Sequence, residues 1–179
     1  MARKYIRDGR APVPKDERTS AIMSRIRGTN TKPELSLRAA LREAGHTGYR
    51  LHYKGAPGRP DIAFVGRRIA IFVHGCFWHG CPHCRPPRPK SNLSFWDEKL
   101  DRNKARDKRK LAELRKQGWR TITIWECRLR KAPSVQLARV KKALAISDHG
   151  SRSAFFPDNR RKKRFSNSQK KRNWPKIAP

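Results

Sequence analysis

Four cysteines and a small set of histidines and acids carry most of the chemistry this sequence offers. Cys81-Pro82-His83-Cys84 is a C-x-x-C pair, Cys76 lies five residues upstream, and Cys127 stands far along the chain. Thiolates at such spacings suit tetrahedral Zn²⁺, and four protein ligands leave no open position for water, so the ion would be structural. It would tie an irregular loop to a remote segment and supply stability that the loop's few aliphatic residues lack. Disulfides are disfavoured in a chain with no sign of secretion, and inert thiols do not account for three cysteines within nine residues. His83 is the alternative ligand to Cys81 or Cys84. Asp61, His74 and His79 form a second group. Mg²⁺ on Asp61 would polarise a phosphate and stabilise a leaving oxygen, while a histidine took a proton from water. The plainer readings are a turn-capping Asp61, and histidines that serve as extra zinc ligands or sit satisfied at the surface. Phe77-Trp78 and Phe95-Trp96 lie in basic surroundings, where aromatic rings stack on bases or wedge between base steps. Their other use is to cover the zinc loop or the core.

The elements that must position these groups follow from pattern. Ile22, Met23 and Ile26 fall at helical spacing in Thr19–Arg27, and Gly28 ends that segment. Thr31-Lys32-Pro33-Glu34 has the form of a capping box, opening a helix with Leu35, Leu37, Ala40 and Leu41 and stopping at Gly45. Three β-prone stretches come next, Tyr49–Tyr53, Asp61–Val65 and Arg68–Val73, and alternation puts Phe72 and His74 on one face with Val73 on the other. His74–Asn92 reads as irregular. A long helix is predicted over Ser94–Gln117 with Trp96, Leu100, Leu111 and Leu114 on one face, then a strand over Trp119–Trp125 and a last helix over Ser134–Ala145. The order α-α-β-β-β-loop-α-β-α predicts an α/β fold, a mixed sheet flanked by helices.

The chain has 179 residues, with 45 Lys and Arg against 14 Asp and Glu, a net charge of +31. A mean hydropathy of -0.93 excludes a transmembrane segment, and the N-terminus lacks the apolar run of a secretory signal, so a cytoplasmic location is expected. Charge of this size points to a polyanion, and nucleic acid is the common one. A membrane surface would want an amphipathic basic helix with exposed apolar residues, which is not evident. Residues 1–18 read as a basic arm. Residues 149–179 hold ten Lys or Arg, including Arg160-Arg161-Lys162-Lys163-Arg164, and read as a disordered basic tail. Between them, 19–148 is long enough for one core-bearing domain.

Pro57-Gly58-Arg59-Pro60-Asp61, the run Phe72 to His79, Phe95-Trp96 and Trp125-Glu126-Cys127 together resemble the very-short-patch repair endonuclease family, and Thr19-Ser20, Met23 and Thr31-x-x-Glu34 fit its N-terminal part. The resemblance covers about residues 17–131, and the stretch Gly75-Cys76-Phe77-Trp78-His79 is its most specific part. It implies a core related to restriction endonucleases with a structural zinc loop. It implies a bacterial, nucleoid-associated enzyme, a monomer, that nicks double-stranded DNA 5′ to the thymine of a T:G mismatch left by deaminated 5-methylcytosine. Mismatch-repair proteins would be further partners.

By position, the resemblance makes Asp61 the Mg²⁺ ligand, helped by the main-chain carbonyl of Val73. His79 becomes the general base, with His74 and Glu34 ordering water or phosphate around the metal. Phe77, Trp78 and Trp96 would intercalate beside the mismatch, and Cys76, Cys81 or His83, Cys84 and Cys127 would hold zinc. Val73 stands where the best-known members carry Thr, so only a carbonyl role survives there. Restriction-enzyme folds carry an acid-x-Lys pair on the third strand. Phe72-x-His74 in its place favours metal-plus-histidine chemistry. Glu34 also completes a capping box and has a purely structural reading. Two other functions fit part of the sequence: a homing- or phage-type nuclease on the same fold, and a non-catalytic zinc-containing nucleic-acid-binding protein, which leaves Asp61, His74 and His79 unexplained.

Overall fold

The computed structural model describes residues 16–26 and 28–150. The arms expected at 1–18 and 149–179 therefore lie outside the described residues, apart from Asp16–Arg18 and the end of the last helix. Helix α1 spans Glu17–Ser24, and its apolar residues find no core: Ile22 and Met23 are exposed, as is Ile26 beyond its end. Helix α2, Lys32–Glu43, starts as its sequence predicts. The Glu34 carboxylate turns back to accept the Thr31 N–H at 3.3 Å and the Thr31 hydroxyl at 2.9 Å, and Pro33 falls in the first turn, where its missing N–H is no loss. Leu37 and Leu41 lie one turn apart and are wholly buried, whereas Leu35 is exposed.

Strands β1 (Arg50–Leu51), β2 (Ile62–Phe64), β3 (Ile69–His74) and β4 (Arg120–Trp125) make a four-stranded sheet in the order β1-β2-β3-β4. The first two pairings are antiparallel and β3–β4 is parallel, with Val73 opposite Ile124 and His74 opposite Trp125. The parallel pair needs a crossover, supplied by the long helix α4, Leu93–Lys116. The mixed sheet flanked by helices is thus the architecture expected. β1 is much shorter than Tyr49–Tyr53: regular pairing stops at His52, which has a left-handed φ of 44°, although the His52 and Tyr53 N–H groups still donate to the carbonyls of Asp61 and Pro60.

The two faces of the sheet differ. One carries Ile62, Phe64, Ile69, Ile71, Val73 and Ile124, packed by Leu37 and Leu41 of α2, Leu129 of α5 and Val140 and Leu144 of α6. Here α5 is Glu126–Lys131 and α6 is Pro133–Gly150. The other face carries the small side chains Ala63 and Ala70 under Leu114 and Trp119, which lets α4 lie close. Two corrections to the sequence reading concern short helices. The span after His74 is not wholly irregular, since Cys76–His79 forms a one-turn helix, α3. The six-residue α5, directly after β4, was not expected. No helix among the described residues is long and apolar enough to cross a membrane.

Candidate active site

The carboxyl end of β3 opens into a cleft of about 1000 Å³ whose lining includes Glu34, His52, Asp61, Val73, His74, Trp78, His79, Arg106, Asp107, Lys110 and Glu126. Asp61 sits one residue before β2, where the β2–β3 ladder opens. Its Oδ2 accepts the N–H of Val73 at 2.8 Å. The N–H and C=O of one strand residue point to the same side, so the Val73 carbonyl faces this opened edge as well. The turn before Asp61 rests on α4: Gly58 has φ +76°, and a Cβ there would stand 3.1 Å from the Cβ of Lys110. Burial raises the Asp61 pKa against the lowering hydrogen bond from Val73. The Glu34 charge pushes it up further, while His52 and Arg38 pull it down.

Behind Asp61, the side chains of Glu34, Arg38 and His52 are packed in contact. Glu34 Oε2 accepts the Asn30 N–H at 3.1 Å and Arg38 Nη2 at 2.8 Å, in addition to the two bonds from Thr31 on Oε1. Arg38 also reaches Asn30 Oδ1 at 2.6 Å and His52 Nε2 at 3.2 Å. His52 Nδ1 lies 3.8 Å from Asp61 Oδ1. The sequence reading missed Arg38 and His52. Arg38 follows Glu34 at i+4, a pairing position in any helix, but nothing in the sequence places His52 against it.

Across the cleft, His79 at the end of α3 meets Asp107 of α4, with Nδ1 to Oδ2 at 2.5 Å. Burial raises the Asp107 pKa, but the His79 hydrogen bond and nearby positive charge outweigh it, and the net shift is downward. An ionised carboxylate only accepts, so His79 Nδ1 carries a proton, and in the neutral ring Nε2 is the acceptor. The His74 ring stacks on that of His79, centroids 3.9 Å apart and nearly parallel, and meets Trp125 edge-on. Burial first, then the neighbouring His79, lowers the His74 pKa to about 4. His74 is neutral at pH 7. Asp107 was not singled out from sequence, being one of several acids on a charge-rich helix.

Phe77, Trp78 and Trp96, expected to act together, do come together: centroids are 5.0 Å apart for Phe77–Trp78, 5.4 Å for Phe77–Trp96 and 6.0 Å for Trp78–Trp96. All three are half-buried, and Lys99 Nζ stands over both indoles. Asn103 of α4 donates to the Trp78 carbonyl at 3.1 Å.

The four cysteines also converge. The Sγ atoms of Cys76, Cys81, Cys84 and Cys127 all lie within 4.8 Å of one another, with Cys81 to Cys127 at 3.6 Å. A tetrahedron with Zn–S bonds of ~2.3 Å has S···S edges of about 3.8 Å, so the cluster is close to the size a tetrahedral ion needs. Its surroundings act on the thiols in both directions. Cys127 N–H donates to Cys76 Sγ at 3.3 Å. Burial raises the Cys81 pKa, but backbone N–H groups of Cys84 and His83 outweigh it and lower the thiol. The buried Cys76 thiol is pushed up and would ionise on metal binding. His83 stays outside this group, edge-on to Trp125 and 3.4 Å from Arg128. Glu126, next to Cys127, accepts the Cys76 N–H at 3.3 Å and so fastens the start of α3.

Comparison with known proteins shows the family. The family described as DNA mismatch endonuclease Vsr matches residues 12–85. The Type II nicking enzyme V.XorIIP of Xanthomonas oryzae is 44% identical over 72% of this chain and 93% of its own length. V.NaeI of Lentzea aerocolonigenes is 40% identical over 66% of this chain and 73% of its own. The DNA mismatch endonuclease Vsr of Escherichia coli is 38% identical over 62% and 70%. Among solved structures, the homing endonuclease I-Bth0305I catalytic domain is similar over 66% of this chain and 98% of that one, with a TM-score of 0.43 at 24% identity. Matched over nearly the whole length of a relative and carrying the family's sequence pattern, the chain is a DNA endonuclease that belongs to the Vsr family of DNA mismatch endonucleases.

Proposed function

We propose that this endonuclease nicks one DNA strand 5′ to the thymine of a T:G mismatch in a Mg²⁺-dependent reaction. The observation that carries the reading is the meeting, in one cleft, of Asp61, the His79–Asp107 pair and an aromatic wedge beside them. The donor set fits a hard cation. Asp61 Oδ1 has no hydrogen bond among the described residues, and burial beside Glu34 makes added positive charge favourable there. Asp61 and the Val73 carbonyl would hold Mg²⁺, which when bound supplies charge stabilisation to the phosphoryl and leaving oxygens.

The chain's own groups do the rest. Asp107 fixes the His79 tautomer, and Nε2 takes the proton from the attacking water. Neutral His74, stacked on His79, limits that ring's rotation and adds no charge that would repel the imidazolium formed there. Arg106 and Lys110 line the cleft and attract phosphate. Glu34, with both oxygens occupied, acts by shaping the wall behind Asp61. Phe77, Trp78 and Trp96 wedge between base steps, which costs least where a mismatch already weakens pairing. Cys76, Cys81, Cys84 and Cys127 would hold a structural Zn²⁺, which would join α3, which bears His79, to α5. The enzyme acts as a monomer, and mismatch-repair proteins are its expected partners.

End-labelled duplexes with one T:G mismatch and matched T:A controls test the reading, incubated with Mg²⁺ or EDTA. A Mg²⁺-dependent nick immediately 5′ to the mismatched T is the expected product. Cleavage of both duplexes alike would keep the nuclease and discard the mismatch role.

A further inference from the structure

A second cavity, of about 300 Å³, shares no lining residue with the cleft, and nothing in the proposed reaction uses it. Phe77, Leu100, Pro86 and Pro87 give it apolar surface, Arg85, Arg88 and Lys104 give it positive charge, and no acid lines it. The three cations are not alike. Arg88 is paired with Asp97, and Lys104 Nζ lies 3.3 Å from Asp101 in an exposed pair that water and salt weaken. The Arg85 side chain has no hydrogen bond or ion pair among the described residues. Its backbone is left-handed, φ 43°, which is costly for a residue with a Cβ, and the following Pro86 narrows its choices further. The Arg85 N–H donates to the Cys81 carbonyl at 3.2 Å, which ties this conformation to the C-x-x-C turn. Pro86, Pro87 and Pro89 fix φ along the rest of the loop, so the guanidinium is presented with little backbone freedom left to lose. Opposite, the stem of Lys104 crosses Gly80, where a Cβ would stand 2.4 Å from Cε.

Two cations above an apolar floor fit a phosphodiester with its sugar. A guanidinium forks onto two phosphate oxygens, an ammonium adds a point charge, and the deoxyribose lies on ring and proline surface. Phe77 also belongs to the aromatic group beside the cleft, so a strand engaged by those rings runs past this cavity. We propose that the cavity seats one backbone phosphate of the DNA, held by Arg85 and Lys104, and that this contact sets how the strand lies on the rings. It positions the duplex and reads no base. A chain that binds DNA is enough for the site itself. Only a scan of single phosphates rests on the mismatch reading, because it needs one fixed register.

Gel shifts of the zinc-loaded full chain on a T:G duplex without added Mg²⁺ test it, one phosphate at a time being replaced by an uncharged methylphosphonate. Wild type should lose about tenfold in affinity at one phosphate other than the one cleaved, the scale of a charge-assisted hydrogen bond. That penalty should shrink in Arg85→Gln and in Lys104→Gln and vanish in the double variant, with the penalties at other phosphates unchanged. Lys141→Gln, on α6 across the sheet, is the control for general charge. A penalty that stays whole in the double variant would overturn the proposal, as would Arg85→Gln binding no worse than Lys141→Gln. If no phosphate stands out on wild type, the mismatch reading loses its register and the unmodified duplex decides: losses at Arg85 and Lys104 well beyond that at Lys141 keep the seat, and equal losses overturn it. A free deoxynucleoside monophosphate that binds wild type and not Arg85→Gln, with DNA affinity unchanged, would make the cavity a nucleotide site and overturn its assignment to DNA.

Discussion

The wall of the cleft built from α2, β1 and the start of β2 and the wall built from α3 and α4 both present acids and histidines, but they are held in place by different forces. On the first, Glu34, Arg38, His52 and Asp61 are packed onto the larger core, and nearly every polar atom has a partner a few residues away or on the next strand. On the second, His79 ends a one-turn helix that packs its aromatic rings on α4 and lies outside the larger core. Its order comes from Asp107 twenty-eight residues on, from Glu126 at the N–H of Cys76, and from the cysteine cluster. The first wall is held by burial, and the second by contacts from residues distant in sequence. The metal-binding role proposed for Asp61 suits the former. The proton-accepting role proposed for His79, which needs access to water, suits the latter.

The comparison breaks most easily at the two residues proposed to be catalytic. Asp61→Ala should lower single-turnover cleavage by about 10³-fold or more, since a metal's charge stabilisation is worth several kcal/mol. Duplex affinity in a gel-shift assay should hardly change. His79→Ala should cost roughly 10²- to 10³-fold, within the range of general-base catalysis. Asp107→Asn should lose a smaller part of that by releasing the wrong tautomer. If Asp107→Asn cleaves like wild type, His79 does not depend on its partner.

Removing the Zn²⁺ proposed at the cysteines, by chelation or Cys127→Ala, sharpens the contrast between the walls. Hydrogen exchange should show Cys76–His79 opening at a free energy near zero, while Leu37, Ile71 and Ile124 keep the protection of the global fold. Uniform loss across both walls would show that the cluster supports the whole domain. The smallest effect is expected at the rim. Trp78→Ala should erode discrimination between T:G and T:A duplexes by roughly tenfold, as lost base stacking is worth about 1–3 kcal/mol. An equal loss on the two duplexes would mean that Trp78 only packs.

The two walls were also unequally legible in the sequence. The capping box of Thr31 and Glu34, the alternation that sends Val73 to the core and His74 to the cleft, and the turn into Asp61 are local patterns, and the structure follows them. Four cysteines announced their cluster because zinc spacing is itself a sequence motif. Asp107 and His52 were not readable. Each becomes significant only through a contact made across the fold, and nothing in the surrounding residues marks them out. The one-turn helix α3 was missed for a related reason. Cys76–His79 has no helical periodicity to show, and its conformation is imposed by Glu126 and the cysteines. The exposed face of α1 shows the opposite failure, in which apolar spacing was present but no core lay against it.

The central claim is that the two walls act as one unit on a single phosphodiester. A double-mutant cycle with Asp61→Ala and His79→Ala, read as single-turnover cleavage of a T:G duplex under Mg²⁺, tests it most directly. Groups that serve one transition state lose rate non-additively, so the double variant should be scarcely slower than Asp61→Ala alone. Losses that multiply would contradict the account, because each wall would then be contributing independently of the other.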